Sequence, residues 1–146
     1  MNFKVTLKTN TIRGYLLIRI IIGFVFLVSG LQKFLLFDQA GPTQFLEMGF
    51  GYPAFTAWFV GAFEVVCAVF ILIGFATRLS TIPLIIIMVI ALVMTKLPLL
   101  SDGFWVFAGA SRLDLAMLLL LIFVLIHGAD QRSMDRRLLR RSWLRA

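Results

Sequence analysis

The chain has 146 residues, 61% of them hydrophobic and 14% charged, with a formal net charge of +7. Soluble domains carry roughly 25% charged residues, and a disordered chain lacks the apolar surface needed to order itself, so both classes are excluded. One Cys and one His exclude a disulfide framework and a CxxC redox pair. They also exclude a His/Cys metal cage and bis-histidine haem. What remains is an all-α integral membrane protein.

Four apolar stretches follow in chain order, at about 14–37, 53–75, 79–97 and 107–128. Each approaches the ~20 residues that cross a ~30 Å hydrocarbon core at 1.5 Å per residue. Lipid offers no partner to backbone N–H and C=O groups, so the spans are expected to be helices. No strand-like alternation points to a β-barrel. Asp38 to Pro42 ends the first span. Pro53 opens the second, where a first helical turn tolerates it. Gly74 to Ser80 is a short connection carrying Arg78, and Pro98, Ser101, Asp102 and Gly103 break the chain after the third span. The first span, preceded by basic residues and containing Val28-Ser29-Gly30, has features of a secretory signal. Its apolar run continues to Phe37, too long for an ordinary signal core, so a retained span is expected. The expected organisation is one membrane domain over 1–146: a four-helix bundle followed by a basic tail at 129–146.

Orientation follows from Lys and Arg. One side gathers Lys4, Lys8, Arg13, Arg78, Arg132, Arg136, Arg137, Arg140, Arg141 and Arg145. The other holds Asp38, Glu47 and Asp102, with Lys96 and Arg112 at its edges. The positive-inside rule places both termini in the cytoplasm. The basic tail flanks a span and is expected to face anionic lipid rather than nucleic acid.

Charges within the spans each need a reason, because Arg, Lys or Asp at a helix centre costs roughly 2.5–3.5 kcal/mol on insertion scales. Arg19, Gly23, Phe26, Gly30 and Lys33 recur at spacings of four and three. They share one face of the first helix, within ~80° at 100° per residue. This stripe should face the bundle. Glu64 lies near the centre of the second helix, on a face shared with Ala57, Gly61 and Ala68. A short carboxylate at that depth must be protonated, hydrogen-bonded or paired, with Arg19 or Lys33 as partner. On the fourth helix Asp114 is expected to pair with Lys33 or Lys96. Such pairs can be purely structural, fixing helix register, or they can form a quinone, proton or small-molecule site. Cys67 reads as a small apolar residue and His127 as an interfacial cap.

Several of these residues fall in a family pattern. Arg19-Ile20, Gly23-Phe24-Val25-Phe26 and Gly30-Leu31-Gln32-Lys33 resemble the first helix of the DoxX-like membrane proteins. Gly61-Ala62-Phe63-Glu64 and Gly74-Phe75-Ala76-Thr77-Arg78 are similar to that family's helix-two Glu and G-x-x-T-R turn. Gly128 to Asp135 echoes its terminal segment, with Ala-Asp-Gln replacing the usual Pro-Gly approach. The resemblance implies a four-helix bundle in the bacterial cytoplasmic (inner) membrane. Some relatives are subunits of a thiosulfate:quinone oxidoreductase, and others associate with antioxidant or thiol-handling enzymes. The fold is also similar to that of the vitamin K epoxide reductases, whose paired cysteines this chain lacks.

Two functions are therefore expected to compete. In the first, the chain is a quinone-interacting subunit of a membrane oxidoreductase. Quinone would be its non-covalent cofactor, with no metal; Glu64 would handle protons, and Arg19, Lys33, Arg78 and Asp114 would form a polar binding core. In the second, it is a non-catalytic scaffold that docks a partner protein, and the charged core is structural.

Overall fold

The computed structural model of the protein describes residues 14–36 and 41–128. Lys4, Lys8, Arg13, Asp38 and the basic tail lie outside the described residues. Within them the chain is all-helical. Helix α1 spans Tyr15–Leu35, α2 Pro42–Glu47, α3 Pro53–Ile73, α4 Thr77–Ala91 and α5 Phe104–His127. A π-helical segment, Leu92–Lys96, and a 3-10 segment, Leu97–Asp102, continue α4. Among the described residues four helices are long and apolar enough to cross a membrane: Tyr15–Leu35, Pro53–Ile73, Thr77–Asp102 and Phe104–His127. The protein is an integral membrane four-helix bundle.

Helices α1 and α3 pack most extensively, followed by α4 with α5 and α3 with α4. The α1–α3 contact is as close as its small residues allow. A Cβ on Gly30 would stand 2.9 Å from the Gly61 carbonyl oxygen and 3.0 Å from the Glu64 Cβ. A Cβ on Gly61 would stand 3.2 Å from that of Lys33. Arg19, Gly23, Phe26, Gly30 and Lys33 are all buried, as are Ala57, Gly61, Glu64 and Ala68 on the facing side of α3. Without the hydrophobic effect to drive helices together in lipid, small residues that permit such close approach provide the packing.

This register makes α1 and α3 uneven. Lys33, two residues from the end of α1, lies level with Gly61, eight residues into α3. Helix α1 therefore stops ~10 Å short of the start of α3. The short helix α2 packs on the exposed start of α3, inserting Phe45, which is buried and touches Phe50 edge to face.

The bundle is dense at one end and open at the other. Its core joins Tyr15, Ile22, Phe26, Cys67, Ala68, Ile71, Leu84, Met117, Leu121 and Val124, reaching from the end where α1 begins and α5 finishes to the middle of the bundle. On α4 the buried residues are Thr77, Ser80, Thr81 and Leu84, all in its first half. No residue from Leu92 to Asp102 is buried.

The third span departs from a plain helix over 79–97, and Pro98 supplies a reason. Proline cannot donate to the carbonyl four residues back, and its ring clashes with it. The chain widens to a π turn, in which the Leu97 N–H reaches the Leu92 carbonyl, and then tightens to 3-10. At the other end, Gly74 adopts φ 73° and closes α3. The Phe75 N–H donates to Phe70 O and the Gly74 N–H to Ile71 O, while the Phe70 and Phe75 rings meet at 5.3 Å. This is a Schellman cap with its hydrophobic contact.

Candidate functional site

The open half of the bundle encloses a cavity of about 460 Å³. Its walls come from the last turns of α1, the first half of α3, the second half of α4 with its π segment, and Asp114 of α5. Helix α2 contributes Gln44 and Phe45, and Met48 follows at its C-terminal cap. Most of the lining is apolar, and the Phe59 and Phe63 rings on α3 lie 4.8 Å apart.

Lys33 and Glu64 supply the polar focus. Lys33 Nζ lies 2.6 Å from Glu64 Oε2, and both side chains are buried. The ammonium also makes longer contacts to Ser29, 3.4 Å to its hydroxyl and 3.5 Å to its carbonyl oxygen. The uneven ends of α1 and α3 decide this pairing, since they bring Lys33 within one helical turn of Glu64.

Arg19, the other expected partner, does something different. Its Nε donates to Ile71 O at 2.8 Å and its Nη2 to Leu72 O at 2.6 Å. These carbonyls belong to the last turn of α3, whose C=O groups have no partner within the helix. A cation there also meets the negative end of the helix dipole. Arg78 repeats the device: its Nη2 donates to Ile126 O at 2.6 Å, in the last turn of α5. Tyr15 Oη donates to the Gly128 carbonyl beside it. His127 Nδ1 lies 2.9 Å from Phe123 O. Arg19 and Arg78 therefore work at the dense end as caps, apart from the cavity.

Asp114 lines the cavity together with Lys33 and Lys96. The expected Lys33–Asp114 or Lys96–Asp114 bridge is not formed. Among the described residues, the Lys33–Glu64 pair is the ion pair within 4 Å. Asp114 sits ten residues into α5, ~15 Å from its start, while Lys33 is engaged by Glu64. Of the five candidate residues, the structure thus gathers Lys33, Glu64 and Asp114 at one cavity. Among the described residues no cluster of three or more His, Cys, Asp or Glu could hold a metal ion.

Sequence reasoning missed α2 and Thr95. The signal for α2 was present in Gly41-Pro42 followed by Phe45 and Met48, an N-terminal proline with apolar residues three apart. Six residues are too few for a periodicity to stand out. Thr95 is carried to the cavity wall by the π segment.

Residues 14–97, from the start of α1 into the 3-10 segment, match the DoxX family model. The chain belongs to the DoxX family. This DoxX protein is 45% identical over 132 residues to "Uncharacterized membrane protein Rv3486" of Mycobacterium tuberculosis, across 86% of this chain and 81% of that protein. It is 30% identical over 122 residues to "Putative oxidoreductase CatD" of Bacillus subtilis, across 84% of each. No solved structure matches it significantly.

Proposed function

We propose that this DoxX protein is a quinone-binding subunit of an oxidoreductase complex in the bacterial cytoplasmic membrane, with both termini in the cytoplasm. The observation that carries the reading is a buried lysine–carboxylate pair in the wall of a largely apolar cavity of about 460 Å³. Small-molecule sites have this form, with volumes of roughly 300–1,000 Å³ and a few convergent polar groups. The name of the Bacillus subtilis relative, "Putative oxidoreductase CatD", supports a redox context.

The residues fit a quinone headgroup. Phe59 and Phe63 offer aromatic surface to a flat ring. Lys33 has three N–H donors, one of them directed at Glu64, so it can also donate to a ring oxygen. A quinone, when bound, takes up two electrons and two protons on reduction. Lys33 stabilises negative charge developing on that oxygen, in a site where such interactions are stronger than in water. Glu64 holds and transfers a proton at its carboxylate, and Asp114 offers a second carboxylate in the same cavity. Electrons come from a partner or a soluble donor, and the single Cys67 cannot form a disulfide relay.

The test is solvent extraction of the protein purified from its own membranes. Stoichiometric quinone is expected, lost in Lys33→Met while circular dichroism remains helical. A quinone-free extract from protein that carries a partner would overturn the reading in favour of a docking scaffold.

A further inference from the structure

The cavity has two sides through which a ligand could arrive. Toward the outer end it is roofed by α2: Phe45 is buried there, and Phe50 lies against it at 5.8 Å. Toward the lipid, between α3 and α4, no element among the described residues gives such cover. Four cavity-lining residues on that side are also solvent-accessible: Phe59 (54%), Phe63 (41%), Ile86 (54%) and Ile90 (44%). On α2 the lining residue Gln44 is also exposed while Phe45 is buried, so most of the exposed lining, and all of its apolar part, lies on the α3–α4 side and forms the cavity's main mouth.

The depth of this mouth identifies what faces it. Phe63 is ten residues into α3, ~15 Å from its start, and Ile86 is nine residues into α4, ~14 Å from its start. The two helices run in opposite directions, so both residues sit near the middle of a ~30 Å hydrocarbon core. The mouth opens onto acyl chains.

We propose that the cavity is loaded sideways from the bilayer, by a neutral lipid-soluble ring that enters between α3 and α4 and trails an apolar chain out past Phe63 and Ile86. The proposal rests on the reading of the cavity as a quinone site, and it adds the route and the requirement for a chain. The polar end of the ligand must reach Glu64, eleven residues along α3 from Pro53, and Lys33 of α1, which lies level with Gly61, eight residues along α3. A phospholipid headgroup cannot follow that path, because its charged phosphate would have to leave the interface for hydrocarbon. A carbonyl-bearing ring is uncharged and can make the move, with Lys33 supplying the hydrogen bond that the bilayer lacks. The loose second half of α4, with no buried residue beyond Leu84, gives that edge room to part.

The experiment uses the full chain in phospholipid nanodiscs and a benzoquinone whose ten-carbon chain ends in a diazirine. After illumination, labelled residues are located by peptide mass spectrometry, with and without excess decylubiquinone. Labelling at Phe59, Phe63, Ile86 or Ile90 that is lost with the competitor is expected. Competable labelling confined to Gln44, Phe45 and Met48 would overturn the lateral route, leaving the cavity as the quinone site and α2 as its entrance. Absence of any competable labelling would overturn the quinone reading itself and the route with it.

Discussion

Replacing Glu64 by Gln keeps the shape and one hydrogen-bonding oxygen but removes the charge opposite Lys33. The pair is 2.6 Å apart, with both partners buried. At an effective dielectric constant near 20, two unit charges at that separation attract by about 6 kcal/mol, much of it offset by the cost of taking them out of water. Removing one partner of a buried pair leaves the desolvation cost without the attraction, which typically destabilises by about 3–5 kcal/mol. The Ser29 contacts, at 3.4 and 3.5 Å, are too long to compensate. For a chain of this size each kcal/mol shifts the midpoint by about 3 °C, so Glu64→Gln should unfold about 9–15 °C below the wild type in a detergent melt. The double replacement Lys33→Met with Glu64→Leu removes both charges and should recover most of the loss, since apolar substitutes for buried pairs are often neutral or stabilising. A Glu64→Gln protein within about 1 kcal/mol of wild type, or a double variant as unstable as the single one, would refute the account of this pair.

Arg19→Met should destabilise by about 2–4 kcal/mol, because it withdraws two charge-assisted hydrogen bonds from the end of α3; Arg19→Lys should recover part of this, read in the same melt. Gly30→Ala places a Cβ 2.9 Å from the Gly61 carbonyl oxygen and should cost about 1–3 kcal/mol as α1 and α3 are forced apart. Gly109→Ala meets nothing within 4 Å and should be neutral or stabilising by up to about 1 kcal/mol. A phosphatase that works only in the periplasm, fused after Ala146, should be inactive, and a fluorescent protein at the same place should be bright. The reverse pattern would overturn the orientation drawn from the positive-inside count.

The parts of this fold legible in the sequence are those that lipid enforces. Span length follows from bilayer thickness, and the Arg19–Lys33 stripe and the Glu64 face followed from helical spacing alone; both are buried together. What the sequence did not reveal depends on how helices slide past one another. Counting depth from helix ends made Arg19 and Lys33 equivalent partners for Glu64. The actual register puts Lys33 beside Gly61 and leaves Arg19 at the Ile71 and Leu72 carbonyls. A cap supplied by another helix leaves no local trace. The trace of α2, Gly41-Pro42 with Phe45 and Met48, is too short to stand out, and its place is created by the early end of α1. Asp114 was legible as an inward residue but not as a partnerless one, since its neighbours are fixed only when the bundle closes.

The polar stitches divide the molecule into two hairpins. Arg19 and Lys33 both bind residues of α3, and Arg78, at the start of α4, binds the end of α5. These three cations thus find their counterparts in the neighbouring span of their own hairpin. During synthesis the first hairpin can settle its ionic needs before the third span has left the ribosome. The two halves can then enter the membrane in sequence, the first with its buried Arg19, Lys33 and Glu64 already satisfied. The seam where they meet carries little of this bonding, and it is there, between α3 and α4, that the cavity opens.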